Sequence, residues 1–117
     1  MKKILVINND FDTMSLIKKW LEKKGYVVKF TGNRSEARKL VRDFRPDLAI
    51  IDILQSDILV DIKGGSHQGE FPILLMTGYT SKPFSGKLLE YESIEKPFDL
   101  PLFERKIKML LDNSVEV

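Results

Sequence analysis

Short apolar runs alternate along this chain with longer stretches of helical period. Residues 4–7 form a continuous apolar run between Lys2-Lys3 and Asn8-Asn9-Asp10, the pattern of a strand covered on both faces. From there to Lys24, Met14, Ile17 and Leu21 recur at helical spacing, Leu16 and Trp20 widen the stripe, and Gly25 supplies a C-terminal stop. Residues 26–31 read as a second strand, turned by Gly32-Asn33. Asn33 and Glu36 resemble a capping pair at the head of a second helix that carries Ala37, Leu40, Val41 and Phe44 on one face.

Pro46 closes that helix, and residues 48–53 are apolar apart from Asp52 near the end, as a central strand would be. Residues 73–76 follow Pro72 and lead into Thr77-Gly78. A shorter strand over 93–95 leads into Lys96-Pro97. The last helix starts near Asp99, an N-cap with Pro101 in the first turn, and buries Phe103, Ile107, Leu110 and Leu111 before a short polar tail. Two connections are irregular. Ile58, Leu59 and Ile62 suit a short helix ahead of the glycine-rich loop that contains His67, the one histidine, which reads as solvated. Pro83 and Gly86 predict a short or distorted helix between Thr80 and Tyr91.

With 117 residues, 43% of them hydrophobic and 31% charged, the chain is long enough to bury a core as one domain spanning 1–117. The lack of cysteine removes disulfides, thiolate metal sites and thiol nucleophiles. The apolar run after Lys2-Lys3 is too short for a signal peptide or a membrane span, so a cytoplasmic protein that engages no membrane is expected. A net charge of +2, with basic residues spread over several helices, disfavours direct nucleic-acid binding.

Strands alternating with helices imply a parallel sheet whose strand C-termini share one edge, where ligands of open α/β sheets bind. To that edge come Asn8 and Asn9 after the first strand, Asp52 at the end of the third, Thr77 of the fourth and Lys96 of the fifth. Each also has a plain structural reading. Asn8-Asn9-Asp10 suits a turn and helix cap, Thr77 a strand end, and Lys96 a solvated surface position. Asp52 is harder to treat so, because a carboxylate ending an apolar strand needs solvent, a cation or a donor to offset a desolvation cost of roughly several kcal/mol.

These segments, taken in order, resemble the signature segments of response regulator receiver domains, the CheY-like family. They are the Ile-Leu-Val-Ile strand with its polar residues, Pro46 through Asp52, Pro72 through Gly78, and Glu95-Lys96-Pro97-Phe98. The resemblance implies a flavodoxin-like, doubly wound α/β fold, a five-stranded parallel sheet of order 2-1-3-4-5 with helices on both faces. It implies a receiver in two-component phosphorelay signalling, not an enzyme beyond its own phosphorylation and dephosphorylation. Asp52 would be the phosphoacceptor, and Thr77 and Lys96 would hold the phosphoryl oxygens and act as the switch. Gly78 would leave access open. The implied partners are a histidine kinase or phosphotransfer protein and a downstream protein target. With no effector domain after the last helix, the chain would work alone or report to a separate protein; oligomeric state stays open, a homodimer included.

The same resemblance implies Mg2+ held by Asp52, by Asn9 and by the backbone carbonyl of Leu54. The family's usual acidic pair is here Asn8 and Asn9, and losing a carboxylate ~4 Å from a cation forfeits up to ~4 kcal/mol at an effective dielectric near 20. A weakened or absent metal site is therefore expected, with Asp10 either restoring a carboxylate or capping the first helix. The family's Met-Pro after the acceptor is Gln55-Ser56, and its aromatic switch residue on the fifth strand is Ser93. A degenerate pseudo-receiver, binding partners without phosphoryl transfer, is the alternative. A dehalogenase-type phosphatase would want a second aspartate where Leu54 stands, and a flavodoxin a hydroxyl- and glycine-rich loop where Asn8-Asn9-Asp10-Phe11 stand.

Overall fold

In the computed structural model, residues 1–55, 58, 71–77, 91–95 and 99–115 are described. β1 (Lys3–Ile7) leads into α1 (Phe11–Lys23), β2 (Val27–Thr31) and α2 (Arg34–Phe44). β3 (Leu48–Asp52) runs into a 3-10 turn, Ile53–Gln55, and β4 (Ile73–Thr77), β5 (Glu92–Glu95) and α3 (Leu100–Val115) follow. The five strands form one parallel sheet in the order β2-β1-β3-β4-β5, as the resemblance implies.

Strand alternation divides the core in two. On one face Ile4, Val6, Leu48, Ile50, Leu74, Met76 and Ile94 pack against Met14, Ile17 and Leu21 of α1 and Phe103, Ile107 and Leu111 of α3. On the other, Leu5, Ile7, Ala49, Ile51, Ile73 and Leu75 pack against Ala37 of α2, with Ile58 and Phe71. The central strands are buried on both sides, which is why they read as unbroken apolar runs.

Caps account for the helix starts. Asp10 accepts from the Thr13 amide at 3.3 Å, Asn33 from the Glu36 amide at 2.8 Å, and Asp99 from the Leu102 amide at 3.4 Å. Two details depart from the sequence reading. Glu36 does not close a reciprocal capping box; its carboxylate accepts from the Thr31 hydroxyl at 2.5 Å, and that hydroxyl accepts from the Asn33 amide at 3.0 Å. Leu16 does not widen the buried stripe of α1, being 69% exposed, whereas Trp20 does pack against the core. The short helix expected around Leu59 and Ile62, the loop carrying His67 and the segment from Pro83 to Gly86 lie outside the described residues.

Candidate functional site

The C-terminal edge of the sheet gathers four buried polar side chains, one of them Thr31 at the end of β2. Asp52 ends β3 and is 6% exposed, Asn8 follows β1 at 1%, and Thr77 ends β4 at 7%. Register fixes their neighbourhood. The β1–β3 pairing of Ile7 with Ile51, carried one residue further, sets Asn8 alongside Asp52. The β3–β4 pairing of Asp52 with Met76 sets Thr77 one step beyond. Thr77 in turn pairs with Glu95, the residue before Lys96. Lys96 and Gly78 lie outside the described residues. Ser93, opposite Leu75, is half-buried.

Hydrogen bonds orient the two central groups. Oδ1 of Asp52 accepts from the Leu54 amide at 2.8 Å, a bond that the 3-10 turn makes available by folding the chain back over the strand end. The Leu54 side chain itself is 84% exposed. Asn8 continues the sheet, its backbone amide donating to the Thr31 carbonyl at 3.0 Å, and its Oδ1 accepts from the Asp10 amide at 2.7 Å. That bond settles which way round the side-chain amide sits, since only the oxygen can accept. Nδ2 is then left buried with no protein partner among the described residues, which costs about 1–3 kcal/mol when nothing else fills the role. Gly32 holds this arrangement in place. A Cβ there would come within 2.9 Å of the Asn9 Cα and 3.0 Å of the Asn8 carbonyl, so only glycine lets the β2–α2 turn close over the β1–α1 turn.

These donors and acceptors do not suit magnesium, which takes oxygen ligands, with carboxylates supplying the charge. Asn8 commits its oxygen to Asp10 and leaves a nitrogen donor. Asn9 is neutral and exposed. Asp10 caps α1, its Oδ2 accepting from the Thr13 hydroxyl at 2.7 Å while Oδ1 takes the Thr13 amide. Asp52 is the one buried carboxylate among the described residues, which hold no group of three acidic, histidine or cysteine side chains able to bind a metal. The sequence showed that the acidic pair was missing, but not that Nδ2 of Asn8 lies without a partner among the described residues or that the turn packs closely on Gly32.

The model of the response regulator receiver domain family matches residues 4–108. The chain belongs to that family. Among curated proteins this receiver is similar to the polar-differentiation response regulator DivK of Brucella anthropi, 25% identical over 121 aligned positions that take in 97% of this chain and 98% of DivK. Among solved structures it superposes on NtrX from Brucella abortus with a TM-score of 0.86 at 24% identity, covering 97% of this chain and 27% of that one. The receiver thus spans about a quarter of the NtrX chain. The receiver domain of the Francisella response regulator 1452 gives 0.83 at 18% identity, covering 97% and 99%. The family is a two-component signalling module and not an enzyme class. Among the described residues no helix is long and apolar enough to cross a membrane.

Proposed function

We propose that this receiver, acting as a single domain over 1–117, takes a phosphoryl group on Asp52 from the phosphohistidine of a histidine kinase or phosphotransfer protein and thereby changes its affinity for a downstream protein. A carboxylate oxygen bonds to phosphorus as the phosphorus–nitrogen bond breaks, and the departing imidazole nitrogen keeps the electron pair. The observation that carries this reading is the one buried carboxylate among the described residues, at the end of an apolar strand and with an oxygen accepting from the Leu54 amide. Such a group is oriented before its donor arrives, and orientation with charge stabilisation supplies most of phosphoryl-transfer catalysis. In this reading the Thr77 hydroxyl orients the transferred group, Lys96 neutralises its charge and Gly78 keeps the approach open. The same reading has the chain work in the cytoplasm.

The test is incubation with phosphoramidate or acetyl phosphate followed by intact-mass measurement. A gain of one phosphoryl group, lost in Asp52→Asn, is the expected result. Asn8 and Asn9 in the place of the acidic pair favour a second reading, an interaction module that needs no phosphoryl transfer. No mass gain under any donor or metal condition, with a kinase partner still bound, would establish it.

A further inference from the structure

The β1–α1 turn presents one buried group that neither the fold nor phosphoryl acceptance by itself employs. Asn8 is buried one step beyond the Ile7–Ile51 pairing, in register with Asp52; its oxygen is engaged by the Asp10 amide, and its Nδ2 has no partner among the described residues. The Asn8 oxygen is held by that amide at 2.7 Å, and the turn that carries it packs closely against Gly32. A buried amide donor, oriented through its oxygen and in register with a carboxylate, is complementary to an acceptor that arrives with a ligand. An acidic residue in its place would repel a doubly negative phosphoryl group and require a cation between the two. The neutral Asn8 imposes no such requirement and adds a donor.

We infer that the Asp52 pocket holds a tetrahedral, phosphoryl-sized anionic group without any divalent metal ion, Nδ2 of Asn8 donating to one of its outer atoms. The inference rests on the reading of Asp52 as the acceptor and deepens it: Asn8 is a binding residue that takes over part of what a metal would do. The poor fit of the described rim residues to magnesium, with the Asn8 oxygen committed to the Asp10 amide and Asn9 uncharged, is a second observation in the same direction.

The experiment uses the full chain, labelled with nitrogen-15 and freed of magnesium and other divalent ions over a chelating resin. It is then titrated with beryllofluoride, whose fluorines stand in for phosphoryl oxygens once beryllium is coordinated by a carboxylate. Two signals are read, the side-chain NH2 of Asn8 and the backbone amide of Leu54. The expected result is saturable movement of both without magnesium, and an apparent affinity that changes by less than about threefold when excess magnesium is added. Asn8→Ala should weaken metal-free binding on the order of tenfold, the usual scale for losing a hydrogen bond to a charged group. Asn8→Asp, which keeps the acceptor for the Asp10 amide, should make binding depend on magnesium by at least about tenfold.

Binding seen only with magnesium, with the Asn8 signal unmoved, would overturn the inference and leave Asp52 as acceptor. Metal-free binding that persists unchanged in Asn8→Ala would overturn the role given to Asn8. No binding in either buffer, together with no mass gain from phosphodonors, would remove the acceptor reading and this inference with it.

Discussion

A methyl group at Gly32 meets the backbone of Asn8 and Asn9, and backbone cannot rotate out of the way as a side-chain tip can. Gly32→Ala should therefore destabilise the fold by about 1–3 kcal/mol, the usual range for overpacking, and shift the Asn8 side-chain signals even without ligand. Urea unfolding with a proton–nitrogen spectrum checks both; an unchanged midpoint would mean that the two turns can separate freely. Gly25 makes the contrast, because its φ of +98° demands glycine although nothing lies within 4 Å of a Cβ there. At Asp10, replacement by Ala removes the cap of α1 and should cost about 0.5–2 kcal/mol by the same unfolding measurement. Residue types at the rim could be read from the sequence. What they bond to could not, because the Asn8 oxygen's choice of the Asp10 amide turns on a hydrogen bond that spacing alone does not fix.

α1 and α3 meet along a seam built on Trp20, which stacks on Phe103 at 5.3 Å with ring planes 20° apart. Lys24, at the end of α1, sits 5.6 Å over the Trp20 ring and reaches Glu104 of α3 at 3.3 Å. The Lys24 hydrogen bond holds the Glu104 carboxyl below the ordinary glutamate range against a smaller opposing effect of desolvation, and the charge of Lys24 and the nearby Lys108 act in the same direction. A carboxyl with a depressed folded-state pKa stabilises the fold at neutral pH, and that contribution disappears as pH falls from the ordinary glutamate range through the folded value. Stability of Glu104→Gln should thus fall less than that of the parent between pH 6 and pH 3, roughly the window of glutamate titration, as urea midpoints would show. Parallel curves would assign this contact no role. The helices were legible because Met14, Ile17 and Leu21, or Phe103, Ile107 and Leu111, repeat at helical period. The edges of a stripe are less so. Leu16 has the right spacing yet faces water, since periodicity gives the direction of a buried face but its width depends on what packs there.

Across the whole molecule, alternating elements implied parallel strands and the family resemblance alone implied their order, while nothing local in the sequence dictates which strands become neighbours. β3 lies at the centre, paired with β1 and β4, and Ile50 is wholly buried between that strand and the α1/α3 layer. Ile50→Ala should cost about 2–5 kcal/mol in chemical denaturation, and amides of β1, β3 and β4 should exchange with solvent more slowly than those of the edge strands β2 and β5. Equal exchange rates across all five strands would contradict a single cooperative core.

That α3 follows all five strands of the sheet in chain order has a consequence during synthesis. The ribosome releases every strand before it releases Phe103, Ile107 and Leu111, the side chains that cover Ile50, Met76 and Ile94. Until those last turns emerge, the growing polypeptide presents a greasy, half-dressed sheet to the crowded cell, an ideal customer for a chaperone and the moment at which this protein is most prone to clump.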